Sequence, residues 1–424
     1  MIGAVTGGLL ALLALSLPVG VVLFLLGLGI DVFGSPFPLI RGLGQIVWSA
    51  MNSSLLIAIP FFVLLGEILV RAGIAERTYR ALDAWLSWLP GGLIHANIGT
   101  ATMFSATSGS SVATAATVAT VAMPQAEKLG YDPRLFAGSI AAGGTLGIMI
   151  PPSINLIVYG FLTETSIPRL FLAGLVPGLL MALGFVVLTA LICRARPALG
   201  GPSRSATWGE RVRGLTALVP IGVLFVVVVG SIYAGWATPT ESAAVGVAMA
   251  FLIAQVQSGI RWGWVMEALV GTVRITAMLV FVIAAASFLN YCLGSAGLGR
   301  QLQAMLGGLD LGPLATLLVI VGLYILLGFF IETLSLMVAT IPIVVPIVTE
   351  LGYDKVWFGI LLILLIEMAL ITPPVGLNLY VVQGARRSGR LSEVMVGTLP
   401  YVVVMLAMAG LLIAAPSIAL WLPG

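Results

Sequence analysis

The chain has 424 residues, of which 60% are hydrophobic and only 8% are charged, and its mean hydropathy is +1.16. This composition lacks the polar surface of a soluble domain, so it excludes a soluble enzyme or binding module and predicts a multi-pass protein of the lipid bilayer. One histidine and two cysteines exclude a histidine-based metal centre and a disulfide framework, and a net charge of +3 gives no reason to expect a nucleic-acid partner.

Apolar stretches long enough to cross a bilayer recur along the whole chain. We predict spans near residues 5–30, 45–70, 135–163, 170–193, 215–234, 240–257, 265–293, 356–384 and 396–421. Residues 93–124 and 311–349 are apolar but interrupted by small or polar residues, so each is predicted to form a re-entrant hairpin. Residues 71–92 combine tryptophans and leucines with several charges, which is typical of a helix lying in the membrane interface.

Arginines collect in two connectors, at residues 194–213 and 386–390. Because basic residues of short loops stay on the cytoplasmic side, both connectors are predicted to be cytoplasmic. Counting the predicted spans outward from them places the N-terminus in the cytoplasm and the C-terminus in the periplasm.

The sequence contains an internal repeat. The tetrad "LGYD" occurs at residues 129 and 351, and proline pairs begin at residues 151 and 373, both at an offset of 222 positions. The predicted spans place the segments that follow the two proline pairs on opposite sides of the membrane, so the repeat is inverted. Inverted repeats are a signature of secondary transporters with a site at the bilayer midplane. The aspartates of the two tetrads are predicted to cap the next helix.

Each proline pair interrupts an apolar helix, which predicts a broken helix in each repeat. Freed backbone groups are tolerated inside a membrane only where protein or a water-filled cavity satisfies them. We expect a proline at the first position of each following half-helix, where no hydrogen-bond partner is needed. The N–H groups of that half-helix can hold an anion, and the carbonyls of the preceding half can hold a cation.

The first hairpin carries "SATSGSSVATAAT", whose hydroxyls and flexible glycine fall at the predicted tip. Hard cations such as Na⁺ take oxygen ligands of this kind, although small residues also serve close helix packing in membranes. The tip faces the first proline pair, and this position favours a binding site.

The second hairpin carries Glu332 between apolar residues, and an acid at such depth is a candidate functional residue. It could coordinate a cation, bind a substrate hydroxyl or relay a proton, or be satisfied by local hydrogen bonds. It faces the break "ITPPVGLN". Glu67 and Glu367 are weaker candidates, and Glu241 is interpreted as a structural residue of a helix start capped by Thr240.

Several motifs together resemble those of the large membrane subunit of tripartite ATP-independent periplasmic (TRAP) transporters. They are "SGSSVATAAT", "MPQAEKLGYD", "AAGGTLGIMIPPSINLIVYG", "SIPRLFLAGLVPG", "YAGWATPTESAAVGV" and "ALITPPVGLNLYVV". The resemblance covers nearly the whole chain.

The resemblance implies an all-α polytopic membrane protein with an inverted-repeat, elevator-type ion-transporter fold, two re-entrant hairpins and two broken helices. It implies sodium-coupled import of an organic acid across a bacterial or archaeal inner membrane, with Na⁺ as coupling ion and no other cofactor. The implied partners are a small four-helix membrane subunit and a periplasmic substrate-binding protein. The family more often has aspartate where this chain has Glu332.

Residues and resemblance together give two sets of site predictions. The predicted cation-binding residues are Ser108, Gly109, Ser110, Ser111, Glu332, Thr333, Thr372, Pro373 and Gly376. The predicted substrate-binding residues are Ser110, Pro151, Pro152, Ser153, Asn155, Glu332 and Asn378. The predicted division of the chain is scaffold at 1–92, transport at 93–193, loop and scaffold at 194–293, transport at 294–395, and a last span at 396–424.

Two other functions compete with this interpretation. A self-sufficient Na⁺- or H⁺-coupled carboxylate permease of the same superfamily would share the same physical features. An intramembrane protease is a distant alternative, because the tyrosine–aspartate pairs fall in connectors and no partner motif is present. The sequence leaves the substrate open between a sialic acid, a four-carbon dicarboxylate, another sugar acid and a 2-oxo acid.

Overall fold

The computed structural model describes residues 7–9, 11–12, 15, 17–35, 37–202, 206–297, 312–329, 331, 333–373, 375–386 and 389–424. Within these ranges the regular structure is helical. The helices of the first half are α1 (Val19–Gly34), α2 (Leu43–Met51), α3 (Ser54–Arg71), α4 (Ile74–Leu86), α5 (Leu93–Ser108), α6 (Ser111–Leu129), α7 (Pro133–Met149), α8 (Ile154–Thr163) and α9 (Ile167–Ala195). Those of the second half are α10 (Trp208–Tyr233), α11 (Pro239–Gln257), α12 (Trp262–Ser295), α13 (Pro313–Gly328), α14 (Thr333–Glu350), α15 (Lys355–Ala369), α16 (Leu377–Ala385), α17 (Leu391–Ala414) and α18 (Ser417–Leu420).

Seven helical segments of the described chain are long and apolar enough to cross a membrane, and an eighth span results if α2 and α3 form one. The span predicted near 45–70 covers these two helices, and the chain bends by 52° between them, so a crossing as one broken span stays a prediction. Asn52 and Ser53 leave the helical conformation there, as short polar side chains favour turns. The predicted span at 5–30 falls partly outside the described residues, and its described helix begins at Val19.

The repeat is visible in the helix boundaries. Helix α6 starts at Ser111 and α14 at Thr333, while α7 starts at Pro133 and α15 at Lys355, so both pairs keep the offset of 222. The predicted caps are confirmed: the Asp132 carboxylate accepts from the N–H groups of residues 134 and 135, and Asp354 does the same for residues 356 and 357.

The two repeats run in opposite directions along α17. The start of α7 lies against Gly397, which approaches the carbonyl of Arg134. The start of α15 lies near the other end of α17, where the Trp357 indole N–H donates to the Leu412 carbonyl over 2.8 Å. Residues 397 and 412 are about 22 Å apart along a helix that rises 1.5 Å per residue. The repeated helices therefore start at opposite ends of the molecule.

The two breaks differ from the predicted pattern in one respect. Neither proline pair provides the first residue of the following half-helix, because α8 begins at Ile154 and α16 at Leu377. Ser153 takes the capping position of α8 and its hydroxyl accepts from the Leu156 N–H over 3.3 Å. A side-chain cap satisfies an N–H group that proline at the first position would merely have removed.

A second cap also differs from its prediction. Helix α11 is capped by Thr238 and not by Thr240: the Thr238 hydroxyl accepts from the Glu241 N–H, and the Glu241 carboxylate accepts from the Thr238 N–H. Pro239 then occupies the first helical position. Glu241 is structural, as predicted. Cys193 and Cys292 are free and buried.

The helices pack in two groups. Helices α1, α3, α10, α11 and α12 contact one another and form the peripheral group. Both helical hairpins (α5–α6 and α13–α14), both broken helices (α7–α8 and α15–α16), α9 and α17 form the central group. The two groups meet where α3 contacts α5 and α8, where α10 contacts α5, and where α1 and α12 contact α14. Helix α4 packs against both groups, on α10 and on α5. Helices α7 and α15 are buried almost throughout, so they are the core of the central group.

Candidate ion and substrate site

A cavity of about 320 Å³ lies where the two groups of helices meet. Its wall from the central group contains the tip of the first hairpin, the start of α8, the start of α14 and the end of α15. Its wall from the peripheral group comes from α3 and α12. The predicted site residues that line it are Ser108, Gly109, Ser110, Ser111, Asn155 and Thr333.

The tip of the first hairpin, Ser108 to Ser111, is a tight turn rich in backbone and hydroxyl oxygens. Gly109 ends α5 with φ of 59°, a left-handed conformation that favours glycine. A Cβ atom at Gly109 would lie 3.1 Å from the Pro152 carbonyl oxygen. The Ser108 hydroxyl lies 2.7 Å from the Thr114 hydroxyl, and Ser110 caps α6 by accepting from the Ala113 N–H. The tip and the first break are therefore in direct contact.

The fourth tip residue, Ser111, joins the first repeat to the second. Its hydroxyl donates to the carboxylate of Glu367 over 2.5 Å. Ser111 starts α6, whereas Glu367 lies on α15, and the side chains of both are buried. A buried carboxylate is costly in a membrane protein and is by default a candidate functional group. Glu367 is therefore counted among the candidate site residues.

The start of α8, directly after the first break, lines the cavity with Ile154 and Asn155, whereas Pro151, Pro152 and Ser153 do not line it. Pro151, Pro152 and Ser153 are buried linker residues between α7 and α8. Asn155, in the first turn of α8, is 2% exposed, and its Nδ2 atom has no hydrogen-bond partner among the described residues. An unpartnered buried amide next to a helix N-terminus is an available donor group for an anion.

The second break packs behind the cavity. The Thr372 hydroxyl donates to the Met368 carbonyl over 2.6 Å, and Gly376 adopts φ of 57° before α16. Asn378 is fully buried and its Nδ2 donates to the Ala141 carbonyl over 3.3 Å, which ties α16 to α7. Thr372, Pro373, Gly376 and Asn378 do not line the cavity. Glu332 lies outside the described residues, so its predicted role stays a prediction.

The peripheral wall of the cavity carries charge. Gly66 of α3 lies against the hairpin tip, where a Cβ atom would be 3.1 Å from the Ser108 Cα. The neighbouring Glu67 carboxylate pairs with Arg71 over 3.0 Å, and Arg71 also pairs with Glu267 of α12 over 2.5 Å. This chain of charges links α3 to α12 beside the cavity.

The donor set at the tip suits a hard cation. The described residues contain no cluster of three histidine, cysteine, aspartate or glutamate side chains that could hold a transition metal. Besides its hydroxyls, the tip region contains backbone carbonyls: those of Ser108, Ser110 and Pro152 lie close to Gly66, Gly147 and Gly109 respectively. Oxygen atoms, including those of hydroxyls and carbonyls, are the ligands that hard cations prefer.

The chain matches a known family over almost its whole length. Residues 6–418 match the family described as "Tripartite ATP-independent periplasmic transporter, DctM component". The chain belongs to this family. It is a large permease subunit of the TRAP type and not an enzyme, so the protease alternative is wrong.

Known TRAP permeases and a solved transporter structure resemble the chain. The C4-dicarboxylate TRAP transporter large permease protein DctM of Pseudomonas aeruginosa is 34% identical over 91% of this chain and 90% of its own length. The isethionate TRAP transporter permease protein DctMQ of Oleidesulfovibrio alaskensis is 31% identical over 97% of this chain and 65% of its own length. The crystal structure of the Alcanivorax borkumensis YdaH transporter is 16% identical, with a TM-score of 0.59 over 89% of this chain and 90% of that chain. That last likeness concerns the fold alone.

Three residues of this TRAP permease site were missed or given little weight in the sequence. Thr114 adds a buried hydroxyl to the tip, Glu67 lines the peripheral wall, and Glu367 bonds to Ser111. Glu367 had a signal, because it interrupts the apolar run "LLILLIEMALI" just as Glu332 interrupts its own. Its partner had none, since 256 positions separate the two bonded residues.

Proposed function

We propose that this TRAP permease imports a small organic acid, driven by sodium, after delivery by a periplasmic substrate-binding protein. The observation that carries the proposal is the cavity between the two groups of helices, where an oxygen-rich hairpin tip meets the N-terminus of a half-helix. A cation and an anion can be held side by side there without a buried arginine.

Sodium is proposed to bind at the tip of the first hairpin. The hydroxyls of Ser108 and Ser110 and the carbonyls of Ser108, Ser110 and Pro152 support this, because hydroxyl and carbonyl oxygens are ligands of hard cations. A second sodium is proposed at the repeat-related position, with Glu332, Thr333, Thr372, Pro373 and Gly376. The offset of 222 makes Glu332 the counterpart of Ser110, and Thr333 the counterpart of Ser111.

The anionic group of the substrate is proposed to bind between the tip and the start of α8. The backbone N–H groups of the first turn and the unpartnered Asn155 amide support this placement. C4-dicarboxylates and isethionate, which name the two relatives, are both small organic anions. We propose a substrate of this class, with Ser110, Ser153, Glu332 and Asn378 contributing contacts or shaping the pocket.

Transport is proposed to proceed as an elevator, in which the central group slides along the peripheral group. The arrangement of the helices supports this, since each hairpin and each broken helix belongs to the central group and the cavity lies at the boundary. In this mechanism the two hairpins re-enter the membrane, and a small four-helix membrane subunit enlarges the peripheral group. Exposed apolar side chains on α10, α11 and α12 offer surface for lipid or for that subunit.

The proposed location is the bacterial inner membrane, with the N-terminus in the cytoplasm. Contacts support the predicted grouping: Trp85 donates to the Arg211 carbonyl, both in segments predicted to be cytoplasmic, and Arg71 pairs with Glu267 at the predicted cytoplasmic start of the span 265–293. At the other end, Arg169 donates to the carbonyl of Gly424, which groups the C-terminus with a predicted periplasmic connector.

Reconstitution tests the proposal. The purified permease is placed in proteoliposomes with its small subunit and binding protein added or omitted, under an inward sodium gradient or an equal gradient of choline. We expect uptake of a radiolabelled C4-dicarboxylate, or of another organic acid bound by the binding protein, only with all three components and sodium. Uptake by this chain alone would instead establish a self-sufficient permease, and sodium-independent uptake would reject the proposed coupling.

A further inference from the structure

The bond between Ser111 and Glu367 crosses the boundary between the two repeats at the ion site. Glu367 is fully buried on α15, in the middle of the central group. Its carboxylate accepts from a hydroxyl that lies on the tip of the other repeat's hairpin. The second repeat therefore places a negative group directly behind the tip of the first.

The first repeat has no such group in the matching place. The position related to Glu367 by the offset of 222 is Thr145, whose hydroxyl donates to the Ala142 carbonyl of its own helix over 2.6 Å. The acid is therefore not a requirement of the fold shared by both repeats, because the first repeat packs the same helix with an uncharged residue.

We propose that Glu367 is a positioning and charge-supplying residue for the cation at the first hairpin tip, acting through Ser111. The inference rests on the proposed sodium coupling and adds to it a residue on the opposite repeat. It assigns the two repeats unequal parts, since Glu367 stands behind the first tip and its repeat-related position is the uncharged Thr145.

Two physical effects follow from the contact. The Glu367 carboxylate accepts a hydrogen bond from the Ser111 hydroxyl. The lone pairs of the Ser111 oxygen are therefore directed away from Glu367 and remain available to a cation. The negative charge also attracts a cation one side chain away, and the attraction is strong because the surroundings are buried. In return, the bound cation stabilises a buried carboxylate that would otherwise be costly.

Sodium-dependent thermal stability of the purified permease tests the inference without any transport. Unfolding is followed in sodium chloride mixed with choline chloride at constant ionic strength, and the rise in Tm with sodium gives an apparent affinity. The test variants are Glu367→Gln and Glu367→Asp, and the matched control is Thr145→Val, at the repeat-related buried position. Gln keeps an acceptor for Ser111 and removes only the charge.

We expect Glu367→Gln to raise the half-saturating sodium concentration at least about tenfold, because charge interactions across one buried side chain exceed the free energy of a tenfold change. Thr145→Val should keep the half-saturating sodium concentration of the wild type, even if its Tm without sodium falls. A residue with only a structural role would lower Tm at every sodium concentration without moving the half-saturating concentration.

The outcomes separate the two proposals. Absence of sodium stabilisation in the wild type would reject the sodium site itself, whereas wild-type stabilisation with an unchanged value in Glu367→Gln would overturn only the role of Glu367. If Glu367→Gln does not fold, Glu367→Asp decides, since its carboxylate is one methylene further from Ser111. A smaller but measurable loss of affinity is expected for Asp, and an unchanged affinity would overturn the inference.

Discussion

Gly109 and Gly130 end successive helices in the same left-handed conformation, with φ of 59° and 69°. They differ in their surroundings: a Cβ atom at Gly109 would lie 3.1 Å from the Pro152 carbonyl, whereas a Cβ atom at Gly130 would meet nothing within 4 Å. Alanine at either position should cost about 1 to 2 kcal/mol of stability through backbone strain. A comparison of Gly109→Ala with Gly130→Ala therefore separates the effect of backbone strain from the effect of altered site geometry.

We expect Gly109→Ala to reduce sodium-driven uptake at least about tenfold, because the tip must move away from the first break and a misplaced ligand set weakens binding sharply. Gly130→Ala should lose similar thermal stability and keep its uptake. Initial rates in proteoliposomes, normalised to the amount of folded protein, make the comparison. Equal uptake by the two variants would show that contact between tip and break does not matter for transport.

Asn155 offers a different test, because its unpartnered amide lies at the cavity beside the N-terminus of α8. Aspartate has the same shape but adds a negative charge where an anion is proposed to bind. We expect Asn155→Asp to abolish uptake of the organic acid, since like charges in a buried site repel strongly. Asn52→Asp, in the exposed turn before α3, is the matched control and should transport normally. Unimpaired uptake by Asn155→Asp would show that the anion does not bind at this position.

At the level of elements, the close approach of α3 to the first hairpin bears on movement. A Cβ atom at Gly66 would lie 3.1 Å from the Cα of Ser108 and 3.2 Å from its carbonyl oxygen. If the central group slides past α3, a side chain there must pass the tip in every cycle. We expect Gly66→Val to slow uptake several-fold even at saturating sodium, because the added side chain obstructs movement in addition to any displacement of the Ser108 carbonyl.

Gly222→Val is the matched control, since Gly222 lies within α10 with nothing within 4 Å of a Cβ atom. Both substitutions place a β-branched residue inside a helix and carry a similar small cost in helix propensity. Equal uptake by both variants would contradict a sliding contact at α3. Loss of sodium stabilisation in Gly66→Val would show that the residue acts on binding and not on movement.

The repeat explains which elements could be predicted from the sequence. Paired motifs at a fixed offset predicted both helix breaks and both aspartate caps, because each depends on local residues alone. The re-entrant course of the two hairpins stays a prediction. The bend after Met51 was not predicted, since a short polar pair in an apolar run also fits an unbroken span. The bond between Ser111 and Glu367 could not be predicted either, because it depends on how one repeat packs against the other.

For the whole molecule, contacts between distant connectors fix which segments share an end, and the arginine distribution predicts which end is cytoplasmic. Arg77 in the first turn of α4 donates to the Gln257 carbonyl, and Trp85 in its last turn donates to the Arg211 carbonyl, so the turn after α11 and the start of α10 both lie beside α4. Lys355 donates to the Thr163 carbonyl at the opposite end, beside the connector before α9. The two groups of connectors are therefore separated by the thickness of the molecule.

Cysteine labelling tests this orientation directly. Ser258 and Ser166 are exposed residues of the two opposite connectors, and both native cysteines are buried, so the unsubstituted chain should react little. We expect a membrane-impermeant maleimide added to intact cells with a permeabilised outer membrane to label Ser166→Cys, and to label Ser258→Cys only after lysis, because the basic connectors stay inside. The reverse pattern would invert the topology and put the C-terminus in the cytoplasm. Labelling of both variants from outside would instead show that the two connectors lie on the same side of the membrane. This result would contradict the inverted repeat and, with it, the proposed elevator movement.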